Sequence, residues 1–262
     1  MSRCVIISAC PVSPELAKAL RPDDFIIACD AGYRNCAPLG RRPNIIVGDF
    51  DTAPCPEKQD DVIILPHVKD DTDTEYAAKL ASEKGFDEVL LLGGLGGKRV
   101  EHTLANLCTG LGLEKRGVRT TLLDERSRIT YVLPGETRRY HKAQYFFFSA
   151  FPLEGRAEGV CEHGSYYELD DAELTAAYPL GVSNEYAAGS DTITISTRSG
   201  ALVVLETMAD QTNHVRRNIL LPACIGWNRK QKGGEHMQVV VIRSPKALRG
   251  ILRRMFGIKK ET

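Results

Sequence analysis

Two aspartates separated by a single residue follow a short apolar run in IIVGDFD, which covers residues 45–51. The β-branched residues at the start of this segment favour a buried strand, with Asp49 and Asp51 at its carboxyl end. Residues two apart on a strand point to the same side, so both carboxylates could face one ligand. Carboxylate oxygens gathered in this way favour a hard cation such as Mg²⁺, which commonly bridges protein carboxylates and substrate phosphates.

Two further acidic groups follow predicted strands. Asp30 ends the apolar run FIIACD, and the segment KDDTDTE, which contains Asp70, Thr72 and Asp73, follows the run VIILP. Aspartate and threonine at such positions also cap helices, so capping is the alternative for each residue taken singly. Three acidic groups after three predicted strands favour a shared site for Mg²⁺ and phosphate.

A glycine-rich turn, GGLGGKRVEHTLANL, covers residues 93–107. Glycines let the backbone approach a ligand closely, and the amino terminus of the following helix favours phosphate. The turn is not a Walker A loop, because no Ser or Thr follows Lys98. Core packing or capping is the alternative for His102 and Asn106, which lie on one helix face. The residues of this segment that could contact phosphate are Gly96, Gly97, Lys98, Arg99, His102 and Asn106.

Strand-like and helix-like segments alternate in the first part of the chain. This alternation predicts an α/β domain over residues 1–126, with a mostly parallel sheet flanked by helices. Ligands bind such sheets beyond the carboxyl ends of the strands, where the acidic groups lie. Short β-type runs separated by turns predict a small antiparallel β-sandwich over residues 127–207. The predicted helices cover residues 14–20, 72–84 and 101–115.

Composition narrows the class of protein. The chain has 262 residues, of which 43% are hydrophobic and 26% charged, as in ordinary soluble globular proteins. No apolar run reaches the roughly 18 residues that a membrane helix needs, and the first residues lack the pattern of a signal peptide. Eight scattered cysteines without a CxxC pair predict reduced thiols and a cytoplasmic location. We expect no nucleic-acid partner.

Four motifs in this order, VGDFDT, KDDTDTEYA, GGLGGKRVEHTLAN and PLGVSNEY, resemble the thiamine pyrophosphokinases (thiamine diphosphokinases). The resemblance covers about residues 4–207. It implies an N-terminal α/β domain, a C-terminal β-sandwich and a homodimer. The implied reaction transfers the terminal diphosphate of ATP to thiamine, with Mg²⁺, and releases AMP.

The resemblance also implies roles for individual residues. One departure from the family pattern is Glu101, which stands where the family has aspartate, and Lys98 leaves the register around Arg99 open. The general base is either Asp73 or Asp49. The implied catalytic residues are Asp49, Asp73, Arg99 and His102, and the implied metal ligands are Asp49, Asp51 and Asp73. The implied ATP-binding residues are Asp30, Gly96, Gly97, Lys98 and Asn106, and the implied substrate-binding residues are Ser183, Asn184, Asp70 and Thr72.

Two other functions remain open at this point. The first is a Mg²⁺-dependent phosphatase with a D-x-D-x-T motif, although Thr52 falls one place early and Ala53 occupies the position that the motif requires. The second is a non-catalytic regulator that binds thiamine or a nucleotide on the same scaffold. The complete acidic set argues against this second function.

The end of the chain forms a separate module in the sequence. Residues 208–236 show no periodicity and predict an irregular linker, whereas 237–262 predict a basic amphipathic helix suited to an anionic membrane surface. The last segment resembles stage V sporulation protein M. A helix docked on the enzyme is the alternative, and two neighbouring genes read as one chain would explain the linker as a translated spacer. The apolar face of the predicted helix comprises Leu248, Ile251, Leu252, Met255 and Phe256.

Overall fold

The computed structural model describes residues 2–51, 53–56 and 61–209. Its strands are β1 (Arg3–Ile7), β2 (Phe25–Cys29), β3 (Ile45–Gly48), β4 (Val62–Ile64), β5 (Glu88–Leu92), β6 (Arg119–Leu123), β7 (Ser127–Val132), β8 (Thr137–His141), β9 (Phe147–Pro152), β10 (Arg156–His163), β11 (Leu169–Thr175), β12 (Asn184–Glu185), β13 (Thr192–Ser196) and β14 (Leu202–Thr207). Its α-helices are α1 (Tyr33–Cys36), α2 (Asp73–Glu83) and α3 (Val100–Lys115), and 3₁₀ helices cover Pro14–Ala19 and Asp30–Gly32.

The larger sheet has the strand order β12-β9-β14-β7-β6-β5-β1-β2-β3-β4. Strands β1 to β6 pair in parallel. Because β1 lies between β2 and β5, the chain builds one side of the sheet with β2 to β4 and the other with β5 and β6. This reversal of strand order is the position at which open α/β sheets bind ligands, beyond the carboxyl ends of the strands.

Strands β7, β14, β9 and β12 continue the same sheet in antiparallel fashion, and β11-β10-β13-β8 form a second, antiparallel sheet. The pairing of Leu122 with Ile129 joins β6 to β7, so the large sheet runs through the predicted domain boundary at 126/127. The predicted α/β class is therefore present as one mixed sheet with a second antiparallel sheet.

Alternate residues of the parallel strands pack on opposite faces of the sheet. Cys4 and Ile6 belong to a core that includes residues of α2 and α3. Val5 and Ile7 belong to a second core, which includes α1 and the 3₁₀ helix Pro14–Ala19. Burial on both faces explains why these strands are apolar throughout. A third core lies between the antiparallel half of the large sheet and the second sheet and includes Val132, Phe148, Leu202, Val204, Tyr140, Val160, Leu174, Ile193 and Ile195.

Helix α3 contacts both halves of the structure. Tyr131 on β7 donates a hydrogen bond of 2.8 Å to the carbonyl oxygen of Leu107, and a Cβ at Gly110 would lie 2.2 Å from the Tyr131 hydroxyl. Glu114 near the end of α3 accepts a 2.7 Å hydrogen bond from Arg138 on β8. These contacts fix the helix that follows the glycine-rich turn against the antiparallel strands.

The predicted helices at 72–84 and 101–115 correspond to α2 and α3, and the segment predicted at 14–20 is a 3₁₀ helix at 14–19. None of the helices within the described ranges is long and apolar enough to cross a membrane. The linker predicted at 208–236, beyond its first two residues, and the amphipathic tail predicted at 237–262 lie outside the described residues.

Candidate active site

The acidic residues Asp49 and Asp51 meet through a turn rather than along a strand. Strand β3 ends at Gly48, and Phe50 has a φ of 55°. This left-handed conformation costs a residue with a side chain roughly 1–2 kcal/mol. The turn places the Asp51 amide 3.4 Å from Asp49 Oδ1. The expectation that both carboxylates share one side of a strand is therefore wrong, and backbone strain at Phe50 brings them together instead.

Asp30 lies beside this turn in an unusual conformation. It follows β2, is buried, and has a φ of 45°. A Cβ at Gly48 would come within 3.0 Å of the Asp30 Cα, so the glycine allows the ends of β2 and β3 to approach closely. Among the described residues, no hydrogen-bond partner reaches Asp30 Oδ1. A buried carboxylate oxygen without a partner is costly, which points to a ligand or ion at this position.

Lys69 joins two of the predicted acidic residues. Its Nζ donates a hydrogen bond of 2.8 Å to Asp49 Oδ2 and lies 2.8 Å from Asp73 Oδ1. The hydrogen bond from Lys69 lowers the pKa of Asp49. Burial raises the pKa of Asp73, and the negative charges of Asp49 and Asp30 add to this effect against the opposing influence of Lys69. Burial alone would lower the pKa of Lys69, but its interactions with the carboxylates of Asp49 and Asp73 raise it.

Three side chains with metal-ligand atoms meet at the same edge. Ligand atoms of Asp49, Asp51 and His67 all lie within 4.8 Å of one another, and His67 Nδ1 is 3.5 Å from Asp49 Oδ2. The sequence-based triad has Asp73 in place of His67. In the structure Asp73 begins α2 and contacts Lys69. No local pattern in the sequence indicates His67, because its approach to Asp49 depends on the pairing of β4 with β3.

The other polar residues of the KDDTDTE segment have different surroundings. Thr72 caps α2 by accepting a 3.1 Å hydrogen bond from the amide of Glu75. Asp70 is exposed. Thr74 is buried, and its hydroxyl lies 2.9 Å from the Ser8 hydroxyl after β1. The capping alternative thus describes the contacts of Thr72, and the Ser8–Thr74 pair holds the start of α2 against the central strand.

The glycine-rich turn packs directly on the end of β1. Gly93 has a φ of 64°, and a Cβ there would lie 2.5 Å from the carbonyl oxygen of Ser8. A Cβ at Gly97, whose φ is 79°, would lie 2.7 Å from Cys10 Sγ. Only glycine readily adopts a positive φ and also leaves room for such close contacts. Gly96, Gly97 and Lys98 are exposed, so the backbone of the turn is accessible beside the acidic edge.

Side chains of α3 hold the turn in place. Asn106 is buried and donates a 2.7 Å hydrogen bond to the carbonyl oxygen of Gly94. The hydroxyl of Thr103 accepts a 3.0 Å hydrogen bond from the Gly96 amide. The contacts of Asn106 are therefore those of a residue that supports the turn.

The side chains of Arg99 and His102 are more accessible. Arg99 pairs with Glu101 at 2.7 Å, with both side chains exposed, and His102 is partly exposed in the first turn of α3. The hydrogen bond from Arg99 lowers the pKa of Glu101. Arg99 is thus available at the surface of the turn.

Ser183 and Asn184 lie in the antiparallel part of the structure. Ser183 is exposed with a φ of 55°, and its amide donates a 2.9 Å hydrogen bond to Ser149 Oγ. Asn184 is buried and bonds to Glu162 and Tyr167. A cavity of about 270 Å³ lies next to this loop, and its lining includes Lys142, Phe146, Tyr166, Glu185 and Tyr186.

Comparison with known proteins identifies two matching family domains. The thiamin pyrophosphokinase catalytic domain matches residues 16–122, and the thiamin pyrophosphokinase vitamin B1 binding domain matches residues 138–202. The thiamine pyrophosphokinase of Bacillus subtilis (strain 168) is 26% identical over 200 residues, which cover 74% of this chain and 92% of that protein.

Solved structures give the same result for the fold. The thiamin pyrophosphokinase of Geobacillus thermodenitrificans aligns with a TM-score of 0.69 and 25% identity over 80% of this chain and 99% of that one. The yeast enzyme has the same fold, with a TM-score of 0.62 and 12% identity over 79% of this chain and 86% of that one. The catalytic-domain match contains the acidic residues of the site, and the vitamin B1 binding match covers most of the antiparallel strands. The chain therefore belongs to the thiamin pyrophosphokinase family, the enzymes that form thiamine diphosphate with ATP as the donor.

Proposed function

We propose that the chain transfers the diphosphoryl group of ATP to the hydroxyl of thiamine in the presence of Mg²⁺. The observation that carries this proposal is the set of carboxylates after β2 and β3 and at the start of α2, at the same edge of the parallel sheet as an accessible glycine-rich turn. Lys69 contacts Asp49 and Asp73, and Asp30 and Asp51 lie at the same edge, so these five side chains together carry more negative than positive charge. A metal-bound polyphosphate supplies both the missing cation and a ligand for the turn.

The donor set fits Mg²⁺. Asp49 and Asp51 provide hard carboxylate oxygens, and Asp30 Oδ1 is a buried oxygen without a partner among the described residues. We assign Asp49 and Asp51 as the Mg²⁺ ligands, and His67 as a nitrogen donor beside them that suits a softer divalent cation better than Mg²⁺. When bound, Mg²⁺ would neutralise charge on the transferring group.

The transfer requires in-line attack of the thiamine hydroxyl oxygen on the β-phosphorus. The bond between that phosphorus and the oxygen bridging to the α-phosphorus breaks, AMP leaves, and an aspartate accepts the hydroxyl proton. We assign this role to Asp73, because Asp49 belongs to the metal-binding group. Arg99 and Lys98 stabilise the negative charge of the phosphates from the exposed turn, and His102 lies beside them.

The antiparallel part would bind thiamine through the exposed loop that contains Ser183 and Asn184. We also propose a homodimer whose interface lies near this loop. Large apolar side chains exposed on the surface around it support such an interface. The division into a catalytic part at 1–126 and a thiamine-binding part at 127–207 remains our interpretation of the chain. The exposed side chains are Tyr166, Tyr167, Tyr178, Leu180 and Val182.

Product analysis tests the reaction directly. Purified protein with ATP, Mg²⁺ and thiamine should yield equal amounts of AMP and thiamine diphosphate. ADP with thiamine monophosphate would reject diphosphoryl transfer, inorganic phosphate would favour the phosphatase, and binding without turnover would favour the regulator. Light scattering at micromolar concentration tests the dimer, since an active monomer would contradict it.

The tail remains a separate proposal. We propose a cytoplasmic enzyme with a membrane-surface segment at 237–262, on the basis of its sequence pattern. Sedimentation with anionic and neutral vesicles tests this segment. The full chain should sediment with anionic vesicles, whereas a chain ending at residue 209 should not.

A further inference from the structure

A buried carboxylic acid lies beneath the loop that contains Ser183. Glu162 is on β10, at the middle of the second sheet, where it pairs with Leu169 on β11 and Ile195 on β13. The residue is 1% exposed. Glutamate is almost never fully buried without a partner, so this position needs a physical reason.

The partner of Glu162 is Asn184, which belongs to the other sheet. Asn184 Nδ2 donates a hydrogen bond of 2.8 Å to Glu162 Oε2. Since β12 pairs with β9 at the edge of the large sheet, this bond links the two sheets through their side chains. Glu162 Oε1 has no hydrogen-bond partner within the part of the chain that the structure describes. Burial raises the pKa of Glu162 to about 7, against the opposing hydrogen bond from Asn184.

All four hydrogen-bonding positions of the Asn184 amide are used. Its Nδ2 also donates to the carbonyl oxygen of Tyr167 at 2.8 Å, and its Oδ1 accepts from the amides of Tyr167 at 3.0 Å and Glu185 at 2.9 Å. The backbone N–H and carbonyl groups of Tyr167 require an oxygen and an N–H from Asn184 in fixed places. The second N–H of Asn184 then points at Glu162, so an acceptor there completes the set.

Asn184 in turn lies next to exposed Ser183 and bonds to the backbone of Tyr167 in the exposed Tyr166–Tyr167 pair. Ser183 precedes it in a left-handed conformation. On its other side, the rings of Tyr166 and Tyr167 pack edge to face with centroids 4.8 Å apart, and they are 62% and 56% exposed. Tyr166 also lines the neighbouring cavity. A shift of the Asn184 amide would therefore move the serine and the tyrosine pair together.

We propose that Glu162 is a positioning residue for thiamine recognition, acting through Asn184 on the Ser183 loop and the Tyr166–Tyr167 pair. This role rests on the proposed function, because it takes that loop to be the thiamine contact. Glu162 itself does not touch substrate. Both its neutral and its ionised form have an oxygen that accepts from Asn184, so the reach of the side chain matters more than its charge.

The test compares three substitutions of Glu162. Glu162→Gln keeps an acceptor oxygen at the same reach, Glu162→Met fills the volume without an acceptor, and Glu162→Asp withdraws the carboxylate by one methylene. We expect the Met and Asp variants to raise KM for thiamine about tenfold, which corresponds to the loss of one buried hydrogen bond. KM for ATP should stay within about twofold in all three variants, and the Gln variant should match the wild type.

The control is Tyr140→Phe, which removes a buried hydroxyl bonded to Thr130 in the same core without contacting Asn184. Thermal melting establishes that each variant is folded, and calorimetric titration with thiamine measures binding without turnover. Folded Met or Asp variants with unchanged KM and Kd for thiamine would overturn the positioning role. If the Met variant does not fold, the Asp and Gln pair decides. A wild-type protein that binds thiamine but forms no product would reject the proposed reaction and leave this comparison of affinities intact.

Discussion

Lys69 Nζ donates a hydrogen bond of 2.8 Å to Asp49 Oδ2. The same ammonium lies 2.8 Å from Asp73 Oδ1, and its side chain is 17% exposed. Lys69 thus contacts both Asp49, which we assign as a metal ligand, and Asp73, which we assign as the proton acceptor. A single positive charge between two carboxylates also competes with any divalent cation for Asp49.

Replacing Lys69 by Met should separate these two effects. Because the competing cation is removed, we expect Mn²⁺, followed by its electron paramagnetic resonance signal, to bind more tightly than to the wild type. The rate of transfer should nevertheless fall by about 100-fold, because the carboxylates lose the group that orients them. Lys79→Met is the matched control, since Lys79 pairs with Asp71 on the surface. Weaker Mn²⁺ binding in Lys69→Met would contradict the competition.

Asp51→Asn and Asp73→Asn should each reduce activity, but for different reasons. Asp51→Asn removes a metal ligand, so we expect the apparent affinity for Mg²⁺ to fall by about tenfold or more, with activity partly recovered at high Mg²⁺. Asp73→Asn removes the proposed proton acceptor, so activity should fall by about 100-fold or more at every Mg²⁺ concentration. Asp87→Asn, at an exposed position before β5, is the control. Near-normal rates in both variants would return these residues to structural roles.

His67 should affect the choice of metal more than the rate with Mg²⁺. Imidazole nitrogen binds Co²⁺ and Mn²⁺ better than Mg²⁺, which prefers oxygen. We expect His67→Ala to weaken Co²⁺ binding by about tenfold, measured from the visible absorption of the Co²⁺ protein, and to change the Mg²⁺ requirement little. His163→Ala, an exposed histidine of the second sheet, is the control. An unchanged Co²⁺ affinity and spectrum would remove His67 from the site.

Local patterns in the sequence predicted the strands of the parallel half and the helices α2 and α3, because buried strands and amphipathic helices have distinct periodicities. The position of Asp30 after β2 follows from the same patterns. The contacts between side chains depend on strand order instead. His67 approaches Asp49 because β4 pairs with β3, and Phe50 adopts a left-handed conformation that no periodicity indicates.

Local sequence patterns do not indicate the side-chain contacts of the antiparallel part either. Family resemblance indicates the motif around Ser183 and Asn184, but its support by Glu162 connects residues on two sheets, 22 positions apart. No local signal marks a buried glutamate on a strand as the partner of a distant asparagine. The link of β6 to β7 likewise makes one sheet from segments whose patterns suggest two separate domains.

Stability should depend on pH through Glu162. Burial raises the pKa of this carboxyl from 4.5 to about 7. The unfolded chain therefore loses its proton first as pH rises, and the unfolding free energy should fall between about pH 4.5 and 7 by up to about 3 kcal/mol. Glu162→Gln cannot ionise, so urea unfolding at pH 5 and pH 8 should show this loss in the wild type and a smaller one in the variant. Equal differences in both proteins would contradict a raised pKa.

A chain that ends at residue 209 should keep its catalytic activity. Strand β14, at Leu202–Thr207, pairs with β7 on one side and β9 on the other, and the Met208 amide donates a 2.9 Å hydrogen bond to the carbonyl oxygen of Arg126. A chain ending at residue 209 keeps all of these contacts. We therefore expect kcat and both KM values within about twofold of the full chain, because no described site residue is removed. A chain ending at residue 201 is the contrasting control, since loss of β14 exposes the edges of β7 and β9 and should prevent folding. A folded, inactive chain ending at residue 209 would show that the tail takes part in catalysis and would overturn its interpretation as a separate module.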